Sequence, residues 1–161
     1  MWVLGTGEHL SHMLMSEWED FTVSPAAVSG RLAYQRAGVT PADIDVAEIY
    51  DAFSYMPLVG LEDLGFCAKG EGGPFVDAKH GRLLRDGELP VNTDGGGLSA
   101  CHPGMRGLFL IVEAVRQLRH EYPADRQATR RTPGAAQLPR LALVSGTGGW
   151  FCSSATMVLG R

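Results

Sequence analysis

The chain has 161 residues, 45% of them hydrophobic, enough for one domain with a real core or for one half of a larger molecule. Its formal charge of −4 comes from 14 basic and 18 acidic residues spread along the chain, with one short basic cluster at Arg126, Arg130 and Arg131, which argues against nucleic acid as a partner. Cys67, Cys101 and Cys152 show no CxxC spacing, so neither a disulfide framework nor a metal site is expected, and the start of the chain lacks a signal-peptide pattern. With no apolar run of membrane-spanning length, the expectation is a soluble, non-secreted, cytoplasmic protein with reduced thiols and no membrane insertion.

Trp2-Val3-Leu4-Gly5 reads as an opening strand, and His9 to Phe21, without a clean period, as loop. Ser24 stands where an N-cap belongs, with Pro25 at the first helical position and Gly38 as a left-handed stop, so a helix is expected over about 25–37. Val46 to Phe53 is a β-prone run, and a helix is expected from Ser54 to Gly65. The Gly-rich, charged stretch of about 67–88 is expected to be a long excursion. Leu89 to Asn92 reads as a strand end. A helix then begins near Gly104, with Met105, Leu108, Phe109, Ile111, Val112, Val115 and Leu118 in a stripe broad enough to imply burial on more than one side. A Pro/Arg-rich surface linker over about 123–139 leads to two strands, Leu141–Val144 and Ala155–Leu159, joined across Gly146 to Gly149. This order predicts a single α/β domain over 1–161, in which helices pack on the faces of a mixed sheet whose last two strands are antiparallel.

Three segments bring Gly-rich backbone and chemically useful side chains to places where a strand hands over to a loop, the usual ligand position in open α/β sheets. In Glu48 to Ser54, Tyr50 is either a proton donor and acceptor for a substrate oxygen or a core tyrosine, and Asp51 is a loop acceptor or a secondary site residue. In Asn92 to Gly107, Gly95 and Gly96 permit close backbone approach. His102, ahead of a helix N-terminus, suits hydrogen bonding to a carbonyl or enolate. Cys101 beside it reads either as a nucleophile with a stabilised thiolate or as a small buried hydrophobe. In Ser145 to Trp150, glycines in a tight turn, Gly148 and Gly149 above all, aim amides at a developing oxyanion.

Together these segments resemble the C-terminal domain of the thiolase superfamily over nearly the whole chain. Tyr50-Asp51-Ala52-Phe53 falls where that family has Asn-Glu-Ala-Phe, or His-Asp-Cys-Phe in sterol carrier protein X. Asn92, Gly95, Gly96 and Cys101-His102-Pro103 match Asn-x-x-Gly-Gly followed by Gly-His-Pro, and Gly146 to Gly149 match Cys-x-Gly-Gly. The departures count as well, because Gly146 replaces the acid/base cysteine of a Claisen thiolase and the nucleophilic cysteine of the family lies in an N-terminal half. Tyr50 with a missing closing cysteine looks more like the lipid-transfer-protein aldolases of bacterial steroid side-chain degradation. That resemblance implies retro-aldol cleavage of a β-hydroxyacyl-CoA, with Tyr50 as acid/base, His102 on the thioester oxygen and the coenzyme A thioester as substrate, without a bound cofactor. It also implies partners: the missing N-terminal half or a homologous subunit, and a small zinc-ribbon/OB-fold protein. The alternatives are a thiolase or sterol-carrier-type acyltransferase fragment and a non-catalytic half that scaffolds an active partner.

Overall fold

The computed structural model describes all 161 residues. Its strands and helices are β1 (Trp2–Leu10), α1 (Ala26–Ala37), β2 (Val46–Ile49), α2 (Tyr55–Asp63), α3 (Gly72–Val76), α4 (Gly96–Ala100), α5 (Arg106–Arg119), β3 (Arg130–Thr132), β4 (Ala135–Gln137), β5 (Leu141–Gly148) and β6 (Ser153–Gly160). The main sheet runs β1-β6-β5-β2, with β1/β6 and β5/β6 antiparallel and β2/β5 parallel. Val91 extends it by one parallel bridge to Ala47. β1 stands at the opposite edge, paired on one side only.

Strand alternation divides the apolar residues between two cores. Ala47, Ile49, Leu143 and Val158 face α1 and α2, meeting Ala33, Leu61 and Leu64. Val46, Ala142, Val144 and Leu159 face α5, meeting Leu110, Ala114 and Leu118. Helices therefore cover both faces, as the order of elements predicts.

α1 lies unusually low on the sheet. A Cβ at Gly7 would collide with the Ser29 carbonyl, and one at Gly5 with the Ala33 carbonyl. The helix face above is small, Ala26, Ser29, Gly30 and Ala33, all buried. Ser29 contributes a hydroxyl bond of 2.8 Å to Thr156, which in turn meets Ser145 at 3.2 Å, so the polar groups of this dry contact satisfy one another.

Several elements differ from expectation. β1 continues through Leu10, because Gly5 and Gly7 are paired strand residues beneath α1. β2 stops at Ile49, since beyond it the chain turns towards α2. The 67–88 excursion carries the short α3, and the 123–139 stretch carries the β3/β4 hairpin, turned at Gly134 with a positive φ of 81°. The α5 stripe is the largest correction. Leu110, Ala114 and Leu118 are buried alongside Arg106, Glu113 and Gln117, whereas Met105, Leu108, Phe109 and Val112 are exposed. These four lie at i, i+3, i+4 and i+7 and form one bare apolar face.

Candidate active site

The parallel strands β2 and β5 carry their C-terminal ends to one rim, and a cavity of about 710 Å³ opens there. Tyr50 follows β2 directly. Its amide donates to the Ser145 carbonyl at 2.9 Å, continuing the ladder, and its half-buried side chain joins the α5 side of the sheet. The floor beside it is small, with Gly146 and Gly148 from β5, Ala155 from β6, and Gly104 and Gly107 from the start of α5. A Cβ added at Gly146 would sit 3.9 Å from the Gly107 Cα, so the missing side chain is part of what keeps the cavity open.

The Asn92–Gly97 loop is tied to β2 and α5 at almost every residue. Asn92 adopts a positive φ of 49°, which asparagine tolerates, and its Oδ1 accepts the Ile49 amide at 2.8 Å, replacing the carbonyl of a neighbouring strand. Asp51, 3% exposed, accepts the Gly97 amide at 2.6 Å and the Leu98 amide at 3.3 Å, so its carboxylate anchors this loop. Gly96 packs against that carboxylate so closely that a Cβ would overlap it. Asp94 forms a paired contact with Arg106 at 2.5 and 2.8 Å, and Arg106 is itself 3% exposed. Burial works to raise the Asp94 pKa, but the bonds from Arg106 and the Gly96 amide outweigh it and hold the carboxyl below its ordinary range.

The structure brings only some of the anticipated residues together. Tyr50 and Gly148 line the cavity. Gly95 and Gly96 do not, because they close the loop onto Asp51 and begin α4. Gly146 and Gly148 belong to β5 rather than to a turn, and Gly149, with φ 58°, starts the connection to β6 against Cys152. His102 is exposed and stands outside the lining, its ring 5.8 Å from Phe53, which in turn lies 6.1 Å from Phe151. Cys101 is exposed, not a buried hydrophobe, and holds φ 129°, in a region that favours glycine.

Sequence reasoning missed two groups. Glu8, His9 and Leu10 line the cavity from β1, opposite Tyr50, because the strand runs farther than its apolar start suggests. A buried polar network also lies under the site. Thr93 joins Glu48 to Glu113, and Glu113 also accepts from the Gln117 side-chain amide and the Tyr122 hydroxyl. Burial above all, aided by the Glu113 charge and opposed by bonds from Thr93, pushes the Glu48 carboxyl well above the usual range. The signal was available, since an acid inside Val-Ala-Glu-Ile and the pair Glu113/Gln117 at i, i+4 both interrupt apolar patterns.

Residues 7–161 match the thiolase C-terminal domain-like family. The chain belongs to that family. An acetyl-CoA acetyltransferase of Methanothermobacter thermautotrophicus is 34% identical over 151 residues, 92% of this chain and 37% of the relative. A steroid side-chain-cleaving aldolase of Thermomonospora curvata is 35% identical over 138 residues, 84% of this chain and 34% of the relative. The solved Ltp2-ChsH2(DUF35) aldolase superposes with a TM-score of 0.80 at 31% identity, over 99% of this chain and 39% of that one. This thiolase C-terminal domain-like chain thus spans between one third and two fifths of these three relatives.

Proposed function

We propose that the chain supplies the acid/base half of an enzyme that cleaves a carbon–carbon bond in an acyl-CoA, by retro-aldol reaction of a β-hydroxyacyl-CoA. The observation that carries this reading is Tyr50 beside a glycine-floored cavity, with Gly146 at the position where a Claisen thiolase would place its acid/base cysteine. No cysteine of this chain lines the cavity. In the reaction, Tyr50 takes the β-hydroxyl proton, the Cα–Cβ bond breaks, and the β-carbon leaves as a ketone. The electron pair passes into a thioester enolate, and Tyr50 returns the proton to its Cα, which restores the acid/base group. His102 serves the thioester oxygen once the rest of the enzyme encloses it, and Gly148 and Gly149 shape the oxyanion site.

The similarity to an aldolase that cleaves steroid side chains supports this chemistry, and the pairing of Ltp2 with ChsH2(DUF35) in the solved structure supports a second, small zinc-ribbon/OB-fold partner. The relatives are much longer, so the reading also includes a complement that supplies the remaining part of the enzyme, inactive parts becoming active together. The bare face of α5 supports such a complement. Three free cysteines fit a cytoplasmic setting, and no helix is long and apolar enough to cross a membrane.

The acetyltransferase relative favours a second reading, thiolysis. Cleavage by the complete enzyme without free coenzyme A separates the two, because only thiolysis consumes it. Tyr50→Phe in that enzyme is expected to lower kcat by about 10² or more with little change in substrate binding. Normal turnover by Tyr50→Phe and by His102→Ala would instead make this chain a scaffold.

A further inference from the structure

Glu48 on β2 and Glu113 on α5 meet across one hydroxyl. Thr93 Oγ1 lies 2.8 Å from Glu48 Oε1 and 2.5 Å from Glu113 Oε1. A threonine hydroxyl has one proton to donate, so it can satisfy only one carboxylate. The other short contact is attractive only if the second carboxyl brings a proton of its own.

We propose that Glu48 holds a proton and donates it to Thr93, that Thr93 donates to an ionised Glu113, and that this directed series positions the Asn92–Gly97 loop against the strand carrying Tyr50. The direction follows from the partners. Glu113 also receives the Gln117 side-chain amide at 2.8 Å and the Tyr122 hydroxyl, a donor set suited to a carboxylate. Glu48 is fully buried, its Oε2 has no partner, and its only other donor is the Thr93 amide at 3.3 Å. An ionised Glu48 would be an uncompensated buried charge.

The surrounding groups favour this arrangement. Arg106, on α5, is committed to Asp94 through both terminal nitrogens. Asp94 and Glu113 both add negative potential at Glu48. From β5, Glu48 faces the apolar Val144, and Tyr50 follows two residues along the same strand face. Upstream and downstream of Thr93 the loop is held by Asn92 on the Ile49 amide and by Asp51 on the Gly97 amide. Glu48 and Glu113 are therefore positioning residues that act through Thr93.

The positioning role rests on the reaction assigned to Tyr50, whereas the location of the proton does not. The test uses the complete enzyme with isotope-labelled glutamate and infrared difference spectra at neutral pH. Wild type minus Glu48→Gln should show one protonated carboxyl, and wild type minus Glu113→Gln should show none. A wild type without a protonated carboxyl, or one that loses the band in Glu113→Gln instead, overturns the proposal whatever the activity. In turnover, Glu48→Gln keeps kcat within about twofold, because an amide donates to Thr93 as the protonated acid does. Glu48→Ala lowers kcat by about tenfold per folded molecule at unchanged KM. Equal loss in Gln and Ala variants overturns the positioning role. If the wild type cleaves no β-hydroxyacyl-CoA, the assigned reaction fails while the spectra still decide where the proton lies.

Discussion

Cys101 holds a backbone angle that suits glycine, and the residue gains nothing visible in exchange, since its thiol is exposed. Cys101→Gly should therefore raise the thermal midpoint, by the equivalent of about 1 kcal/mol if the strain lies at the low end for such positions. Asp94 sits at the opposite extreme. Its folded pKa is lowered, so its contribution is full above the ordinary carboxylate range and is lost as pH falls through the folded value. Asp94→Asn leaves the buried Arg106 without its anion and should cost about 3 kcal/mol near neutral pH, with the gap closing in acid unfolding curves. Glu48 has the reverse sign. Because its folded pKa is raised above the reference 4.5, stability declines as pH climbs from that value towards the folded one, a slope that Glu48→Gln should remove. At this scale the place of Tyr50 at the cavity and of Asn92 beside β2 was legible because each stands in a local pattern. The Glu48–Thr93–Glu113 series was not, because it joins three segments whose approach only the tertiary packing creates.

The helices and strands separate what local pattern can specify from what it cannot. α1 was readable from its boundaries: the Ser24 hydroxyl accepts the Ala26 amide at 3.3 Å, and Gly38 takes a left-handed φ of 68°. β1 was not, since Gly5 and Gly7 look like breakers until the helix that presses on them is known. That same contact makes a demanding test. Gly7→Val should abolish folding of the β1–α1 unit, seen as loss of soluble protein and of the near-ultraviolet signal, while a change at the open Gly73 should be tolerated. α5 was read correctly as a helix, but within this chain it is buried on one side, not on more than one. A period of 3.6 reports that a face is apolar, not which body will cover it.

For the whole molecule, the bare Met105, Leu108, Phe109 and Val112 face adjoins a sheet face that α5 covers mainly over β2 and β5, reaching β6 at Leu159 and leaving β1 open beside it. Introducing charge there, as in Leu108→Asp with Val112→Asp, should prevent co-purification with the complement and abolish cleavage while leaving the fold of this chain intact. Retained activity would place the complement elsewhere.

The free edge of β1 carries a different consequence. Nine residues of strand, without a lysine or proline to deter pairing, end in the exposed Trp2, Val3 and Leu4. Such an edge is a template for any other extended chain. Made on its own, this polypeptide should accumulate in inclusion bodies, and production together with its complement should rescue it, so that the order of synthesis matters as much as the affinity of the finished halves.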